Sequence, residues 1–400
     1  MTITCADCGS TQTIPAVPPG AIAECFRCDR TLVRRSRLGL DGSLACAAAM
    51  FILIFPAVFL PMMQSTIRNL VFEQSRLVSS VPEIYAQVWL PFALGFVLFA
   101  FLFPAMRAFL HLVVLGSLRS GIRVPQLGRL FRWSEELRIW SMTEVVVIAG
   151  VITYYRAAIP ADVEVLIGAW CYFAVAVLAF TIDRTLDRRA VWESILPDSS
   201  LPRDESVVSC ESCKLAVQRR SGDPCPRCGA TLDPRLSKFF VPAIGALAAA
   251  IPLCLPAYSF SVIVNDQLTA VLEHTIIGTV QLLADRGYWQ FGAIVLLAGV
   301  VVPITVLVGM AWLLLRVRFP SPRGLVIRTR VYRVLVRLVR WPMIIPFIAA
   351  IAAPIVDFRG IDDIVAGPGA TPLFMLIALL ILTLRLFRPR LMWKAAGVNR

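Results

Sequence analysis

Eight apolar blocks, each sixteen to thirty residues long, run through this 400-residue chain. A bilayer's hydrocarbon layer is ~30 Å thick and takes ~20 helical residues to cross. With 58% hydrophobic and only 16% charged residues, the chain has more apolar surface than a soluble core can absorb. The blocks predict spans over residues 44–63, 89–118, 139–157, 163–182, 239–264, 289–315, 341–356 and 371–386. The expected fold class is therefore an all-α polytopic membrane protein.

Charge orders the loops between them. Five segments are rich in Arg or Lys: the N-terminus, residues 119–138, 184–238 and 316–340, and the tail from Arg385. The four intervening segments are neutral or acidic, with Glu83, Asp162, Asp266 and Asp362 among their carboxylates. Unbroken alternation predicts that both termini face the cytoplasm of a bacterial inner membrane. The same alternation accounts for the net charge of +13 and excludes nucleic acid as its explanation. The first forty residues lack the order of a signal peptide, since cysteines and polar residues come first. Insertion is expected to be directed by the first span.

The two halves repeat. Cys5, Cys8, Cys25 and Cys28 correspond to Cys210, Cys213, Cys225 and Cys228. Phe55-Pro-Ala-Val-Phe-Leu-Pro61 matches Leu255-Pro-Ala-Tyr258, and Pro104 matches Pro303 in the second span of each half. Trp140-Ser-Met142 matches Trp341-Pro-Met343, and Asp187-Arg-Arg-Ala-Val-Trp192 matches Arg388-Pro-Arg-Leu-Met-Trp393. Four spans per unit is an even number, so the repeats run parallel. The predicted domains are a metal ribbon at 1–38, a four-helix unit at 39–200, a second ribbon at 201–236 and a second four-helix unit at 237–400.

Sixteen residues separate the Cys-x-x-Cys pairs of the first ribbon and eleven those of the second. Two such turns place four thiolates around one ion, and the residues between them are too few and too polar for a core. In a cytoplasmic segment thiols stay reduced, which favours metal over disulfides. Two zinc ions are expected; a rubredoxin-like iron site would use the same four sulfurs. Gly9 and Gly229 follow knuckle cysteines, where a left-handed backbone is useful. Asp29 and Lys214 hold the other two such places, and because Lys tolerates that backbone less well than Asp, a slight distortion of the first knuckle of the second ribbon is expected. Cys46, Cys171 and Cys254 fall in spans and read as small packing residues.

Ionisable groups inside spans are candidates for function. Arg107 follows Pro104 by three residues, His111 lies one turn further, and Glu144 follows Ser141 in the third span. At 1.5 Å per residue, Arg107 lies ~15 Å and Glu144 ~9 Å from the cytoplasmic ends of their spans. A buried Arg107–Glu144 pair is the expectation, with His111 and Ser141 beside it, lining a cavity for a lipid headgroup or a proton relay. The alternatives are an ion pair that only fixes helix register, or a Glu144 that simply reaches the cytoplasmic interface. Arg333, Arg337 and Arg340 share one face of a basic lead-in to the seventh span, which predicts contact with anionic headgroups.

Duplicated four-cysteine ribbons, each before four spans, with the proline–alanine first span, Trp140-Ser-Met142, Gly367-Pro-Gly369 and the Arg388–Trp393 ending, resemble the paraquat-inducible protein A family. The resemblance covers Cys5 to Trp393. It places an acidic residue where Glu144 stands; the second half departs in having Pro342 for the serine. It implies partnership with an MCE-domain periplasmic protein, and movement of phospholipid between the inner membrane and that partner. No Walker motif, nucleotide-binding glycine loop or nucleophile constellation appears, so a non-enzyme is expected. The rival readings are a membrane redox protein with iron in its ribbons and a structural scaffold.

Overall fold

Gly39–Phe59 forms α1, whose buried residues Ser43, Ala47, Met50, Ile54 and Ala57 recur every three or four positions. That face packs against the fourth and second helical segments of its half, described below. Its opposite face leaves Ile52, Phe55 and Phe59 exposed. Ser43, Ala47 and Ala57 on the buried face let the helices approach closely, the packing by which helices associate in a bilayer. The fold is a computed structural model, described for residues 2–5, 7–15, 17–18, 20–35, 39–67, 70–79, 81–82, 90–122, 126–157, 162–197, 207–210, 212–218, 224–232, 240–267, 270–285, 287, 289–339 and 362–397.

After α1 come α2 (Leu90–Val97), a π-helical turn (Leu98–Leu102) and α3 (Phe103–Ser120) as one continuous rod. Pro104 sits at the start of α3 and supplies no N–H, and the wider turn before it absorbs the loss. Then α4 (Leu127–Trp140) turns back, breaks at extended Ser141 and continues as α5 (Thr143–Ala157). The half closes with α6 (Ile167–Thr185) and the short α7 (Arg188–Ile195), capped by the Asp187 carboxylate accepting from Ala190 N at 3.0 Å.

The second half repeats this plan. Its helices are α8 (Phe240–Ser259), α9 (Ile276–Asp285), α10 (Trp289–Leu296), a π turn (Leu297–Val301), α11 (Val302–Arg318), α12 (Leu325–Leu338), α13 (Ala370–Leu386) and α14 (Arg390–Ala395). The alanine face of α8, with Ala243, Ala246, Leu247 and Ala250 buried, lies on α13. A single buried apolar cluster runs through both halves.

Six segments are long and apolar enough to cross a membrane among the described residues: Gly39–Phe59, Ala93–Ser120, Leu127–Tyr154, Ile167–Thr185, Phe240–Ser259 and Gly292–Arg318. Ala370–Leu386 is a shorter apolar helix. The expected seventh span, 341–356, lies outside the described residues.

The all-α expectation is corrected. The chain is mostly helical, but β5 (Met63–Ile67) lies between β6 (Leu70–Ser75) and β7 (Asp162–Val165) in an antiparallel sheet. Likewise β10 (Ile263–Gln267) lies between β11 (Ala270–His274) and β12 (Asp362–Ala366). Met63 is opposite Ser75 and Val165, and Ile263 is opposite His274 and Ala366. The first and fifth spans accordingly stop at Phe59 and Ser259, and the fourth starts at Ile167. The lost residues, 60–63, 163–166 and 260–264, are mostly apolar and run on from the helices, so a window tuned to apolar content does not separate strand from span.

Glycine permits the junction of each sheet with its helices. A Cβ on Gly168 would lie 2.6 Å from Leu60 O and 2.7 Å from Pro61 O; one on Gly369 would lie 2.7 Å from Phe260 O. Gly168 N donates to Pro61 O at 3.0 Å and Gly369 N to Ser261 O at 2.8 Å. The end of the first helix is thereby fixed to the start of the last in both halves.

Candidate metal centres and the polar cluster

The first ribbon consists of two hairpins, β1 (Thr2–Thr4) with β2 (Thr11–Thr13), and β3 (Ile22–Glu24) with β4 (Thr31–Arg34). The second keeps β8 (Val207–Ser209) paired with β9 (Ala216–Gln218) and, among the described residues, a bridge between Pro224 and Thr231. Every knuckle closes in one way. The N–H groups of Gly9, Asp29, Lys214 and Gly229 donate to the carbonyls of Cys5, Cys25, Cys210 and Cys225 at 2.8–3.0 Å. All four donors have positive φ, from 54° to 76°. Lys214 closes its knuckle as the other three residues do, so the distortion expected there is not seen.

These turns bring the sulfurs together. Cys5 and Cys28 lie 3.6 Å apart, Cys8 and Cys25 3.6 Å, Cys210 and Cys228 3.5 Å, and Cys213 and Cys225 3.6 Å. Within each quartet all ligand atoms fall within 4.8 Å of one another, and all eight residues are buried. Disulfide sulfurs would stand ~2.05 Å apart. Four ligands at ~2.3 Å from a tetrahedral metal would be ~3.8 Å from each other, so the quartets fit a metal ion. Hydrogen bonding from Cys28 pulls the Cys5 thiol down to about 2, while the Cys5 thiolate pushes Cys28 up. In the second ribbon the Cys210 partner lowers Cys225 and raises Cys213. Unaided, such a quartet holds some sulfurs ionised and its others protonated; a cation is what allows all four to ionise.

Each ribbon fastens onto the opposite repeat. Arg333 of α12 donates from Nε to Asp7 Oδ2 at 3.0 Å, from one terminal nitrogen to Cys28 O at 2.6 Å and from the other to Asp29 O at 3.2 Å. Arg330 pairs with the Asp29 carboxylate at 2.6 Å, and the Arg27 guanidinium lies 4.6 Å from the centre of the Trp393 ring. The second ribbon docks on α4 and the segment after α7. Buried Arg227 donates to Leu196 O, and Gly128 fits flat against the Arg227 carbonyl, where a Cβ would stand 1.7 Å away. Arg129 covers Gly229. The expectation that Arg333 meets lipid headgroups is thus corrected: a basic amphipathic helix has one pattern whether its arginines meet phosphate or protein. Arg340 lies outside the described residues.

The sequence-predicted polar group is partly assembled. Arg107 is buried and donates to Asp183 Oδ1 at 2.5 Å, which replaces the expected Glu144. Glu144 is exposed in the first turn of α5. Arg188 continues the chain, 3.3 Å from Asp183 and 2.6 Å from Glu135, and Arg138 lies 3.8 Å from Glu135. His111 is buried, with Nδ1 2.8 Å from Arg107 O. Its Nε2 and the Ser141 hydroxyl, also buried, have no hydrogen-bond partner among the described residues. Asp183, Glu135 and Arg188 escaped the sequence reading, which ended the fourth span at residue 182. An Asp inside a span among arginines was the available signal.

The family described as "Paraquat-inducible protein A" matches residues 40–195 and again 242–397. The chain is 26% identical to the "Intermembrane transport protein PqiA" of Escherichia coli (strain K12), over 98% of this chain and 95% of that one. It is 26% identical to the "Lipophilic envelope-spanning tunnel protein A" of the same organism, over 65% of this chain and 61% of that one. A "Probable intermembrane transport protein" of Haemophilus influenzae is 22% identical over 98% of this chain and 95% of that one. No solved structure matches it significantly.

Proposed function

We propose that this chain, which belongs to the paraquat-inducible protein A family, is the inner-membrane subunit of an MCE-type lipid transport system. It moves phospholipid between the inner membrane and a periplasmic MCE-domain partner. The observation that carries this reading is the match of the family to both halves, together with relatives named for intermembrane transport and for a lipophilic tunnel. Eight spans in two parallel units of four complete the architecture, 341–356 being the seventh. The domains are 1–38, 39–200, 201–236 and 237–400, with both ribbons and both termini cytoplasmic.

The residues that would hold metal are Cys5, Cys8, Cys25 and Cys28 in one ribbon and Cys210, Cys213, Cys225 and Cys228 in the other. Zinc supplies a closed, redox-silent S₄ centre that holds a ribbon too small for a core. A closed site offers no open coordination position, so the metal's role is structural. Relatives named for transport support reading the chain as a non-enzyme. Arg107, buried within its span, and Asp183, partly exposed at the end of α6, provide a charged pair. His111 and Ser141 present unmatched polar atoms suited to a headgroup or an ordered water. Glu144 supplies negative charge at the positive end of α5.

The test is lipid transfer from proteoliposomes containing the purified chain to its periplasmic partner. Arg107→Gln and Asp183→Asn should each abolish transfer while leaving membrane expression intact. Full transfer by both variants contradicts the role of the pair. No lipid movement by the wild-type chain contradicts the function.

A further inference from the structure

Arg333 touches both cysteine turns of the first ribbon at once. Asp7 belongs to the Cys5–Cys8 turn, whereas the Cys28 and Asp29 carbonyls belong to the Cys25–Cys28 turn. Those turns are carried by separate two-stranded sheets with no strand pairing between them among the described residues. Besides the sulfurs, the hairpins are joined by the Arg30–Asp7 ion pair, a hydrogen bond from Phe26 N to Gln12 Oε1 at 3.4 Å and the small cluster of Ile3, Ile14 and Val33. A guanidinium whose three acceptors are divided in this way binds the assembled ribbon and loses its fit when the turns separate. Its planar fork suits the task, since a lysine has one charged point and cannot reach three acceptors in a fixed plane.

Charge favours the same state. Four thiolates and one divalent ion leave the centre with about two net negative charges. Arg333, Arg330 and Arg30 gather beside it, and Asp7 is held by both Arg30 and Arg333. The docked helix α12 belongs to the second half of the chain, some three hundred residues from the ribbon. The second ribbon, gripped by Leu196 O, Gly128 and Arg129, docks on the first half in the reverse sense.

We propose that metal loading of the ribbons ties the two membrane halves together, and that Arg333 reads the loaded state of the first ribbon. A loaded ribbon presents Asp7, Cys28 and Asp29 as one surface to α12 of the opposite repeat. Metal loss disperses that surface and releases the tie. The inference rests on the quartets holding metal and is independent of what the protein transports.

Coupling of this kind is reciprocal: if metal favours docking, docking favours metal by the same factor. The experiment is graded removal of metal from the full-length chain in detergent by a zinc chelator, followed by thiol alkylation read at each cysteine by mass spectrometry. In Arg333→Ala, Cys5, Cys8, Cys25 and Cys28 should become half-alkylated at on the order of tenfold less chelator than in the wild type. Cys210, Cys213, Cys225 and Cys228 should be unchanged. Arg333→Lys should fall between, and Arg330→Ala, which removes only the exposed Asp29 contact, should move the first quartet in the same direction by less. Should Arg333→Ala fail to fold, the Arg330→Ala shift decides. Coincident alkylation curves for wild type and variants, or a shift shared equally by both quartets, would overturn the proposal.

Discussion

The Tyr172 hydroxyl donates to the carbonyl oxygen of Ala100 at 2.8 Å, and Ala100 stands four residues before Pro104. A proline at that position has no N–H to offer the carbonyl one turn back. The second half meets the same need with a tyrosine from another helix: Tyr258 of α8 donates to Gly299 O at 3.0 Å, four residues before Pro303. Two solutions on one plan show that the freed carbonyl, not the position of the tyrosine, is what each half must satisfy.

Tyr172→Phe keeps the ring and removes only that donor. The expected loss is about 1–2 kcal/mol of stability, measured by unfolding in detergent. Tyr258→Phe should lose less, because Tyr258 is only partly buried whereas Tyr172 is fully buried.

Gly168→Ala and Gly116→Ala should move stability in opposite directions. At Gly168 the new methyl meets two backbone oxygens that cannot yield, and a loss of about 1–3 kcal/mol is expected. At Gly116, inside α3, a Cβ meets nothing within 4 Å, so the gain in helix propensity should stabilise by about 0.5–1 kcal/mol. Melting temperatures of the two variants against the parent check both signs.

Arg107 and Asp183 should be energetically coupled. Arg107 is almost wholly buried and Asp183 about one third exposed, so Arg107 left alone is the costlier state. Asp183→Asn should destabilise by about 2–4 kcal/mol. The double variant with Arg107→Gln should cost less than the sum of the singles by about 1–3 kcal/mol. A double-mutant cycle on detergent unfolding measures this directly.

Legibility in the sequence followed the range of the interactions. The quartets could be read because Cys-x-x-Cys is local and its turn geometry is fixed by four residues; even Lys214 takes the left-handed backbone that the spacing asks for. The helices could be read because apolar content persists over many residues. The strands Met63–Ile67 and Ile263–Gln267 could not, since each is five residues long and continues an apolar block. The partner of Arg107 was missed for a different reason. Glu144 and Asp183 are both acidic residues in helices near the same boundary, and only packing decides which one Arg107 meets. Arg333 was read correctly as basic and amphipathic, yet its acceptors lie more than three hundred positions away.

Native mass spectrometry of the purified chain, carried gently out of the membrane, tests the whole account in one spectrum. A colourless protein bearing two zinc ions, eight unpaired ligand thiols and bound phospholipid is the predicted result. A metal-free, lipid-free chain whose quartets have oxidised into disulfides would contradict it.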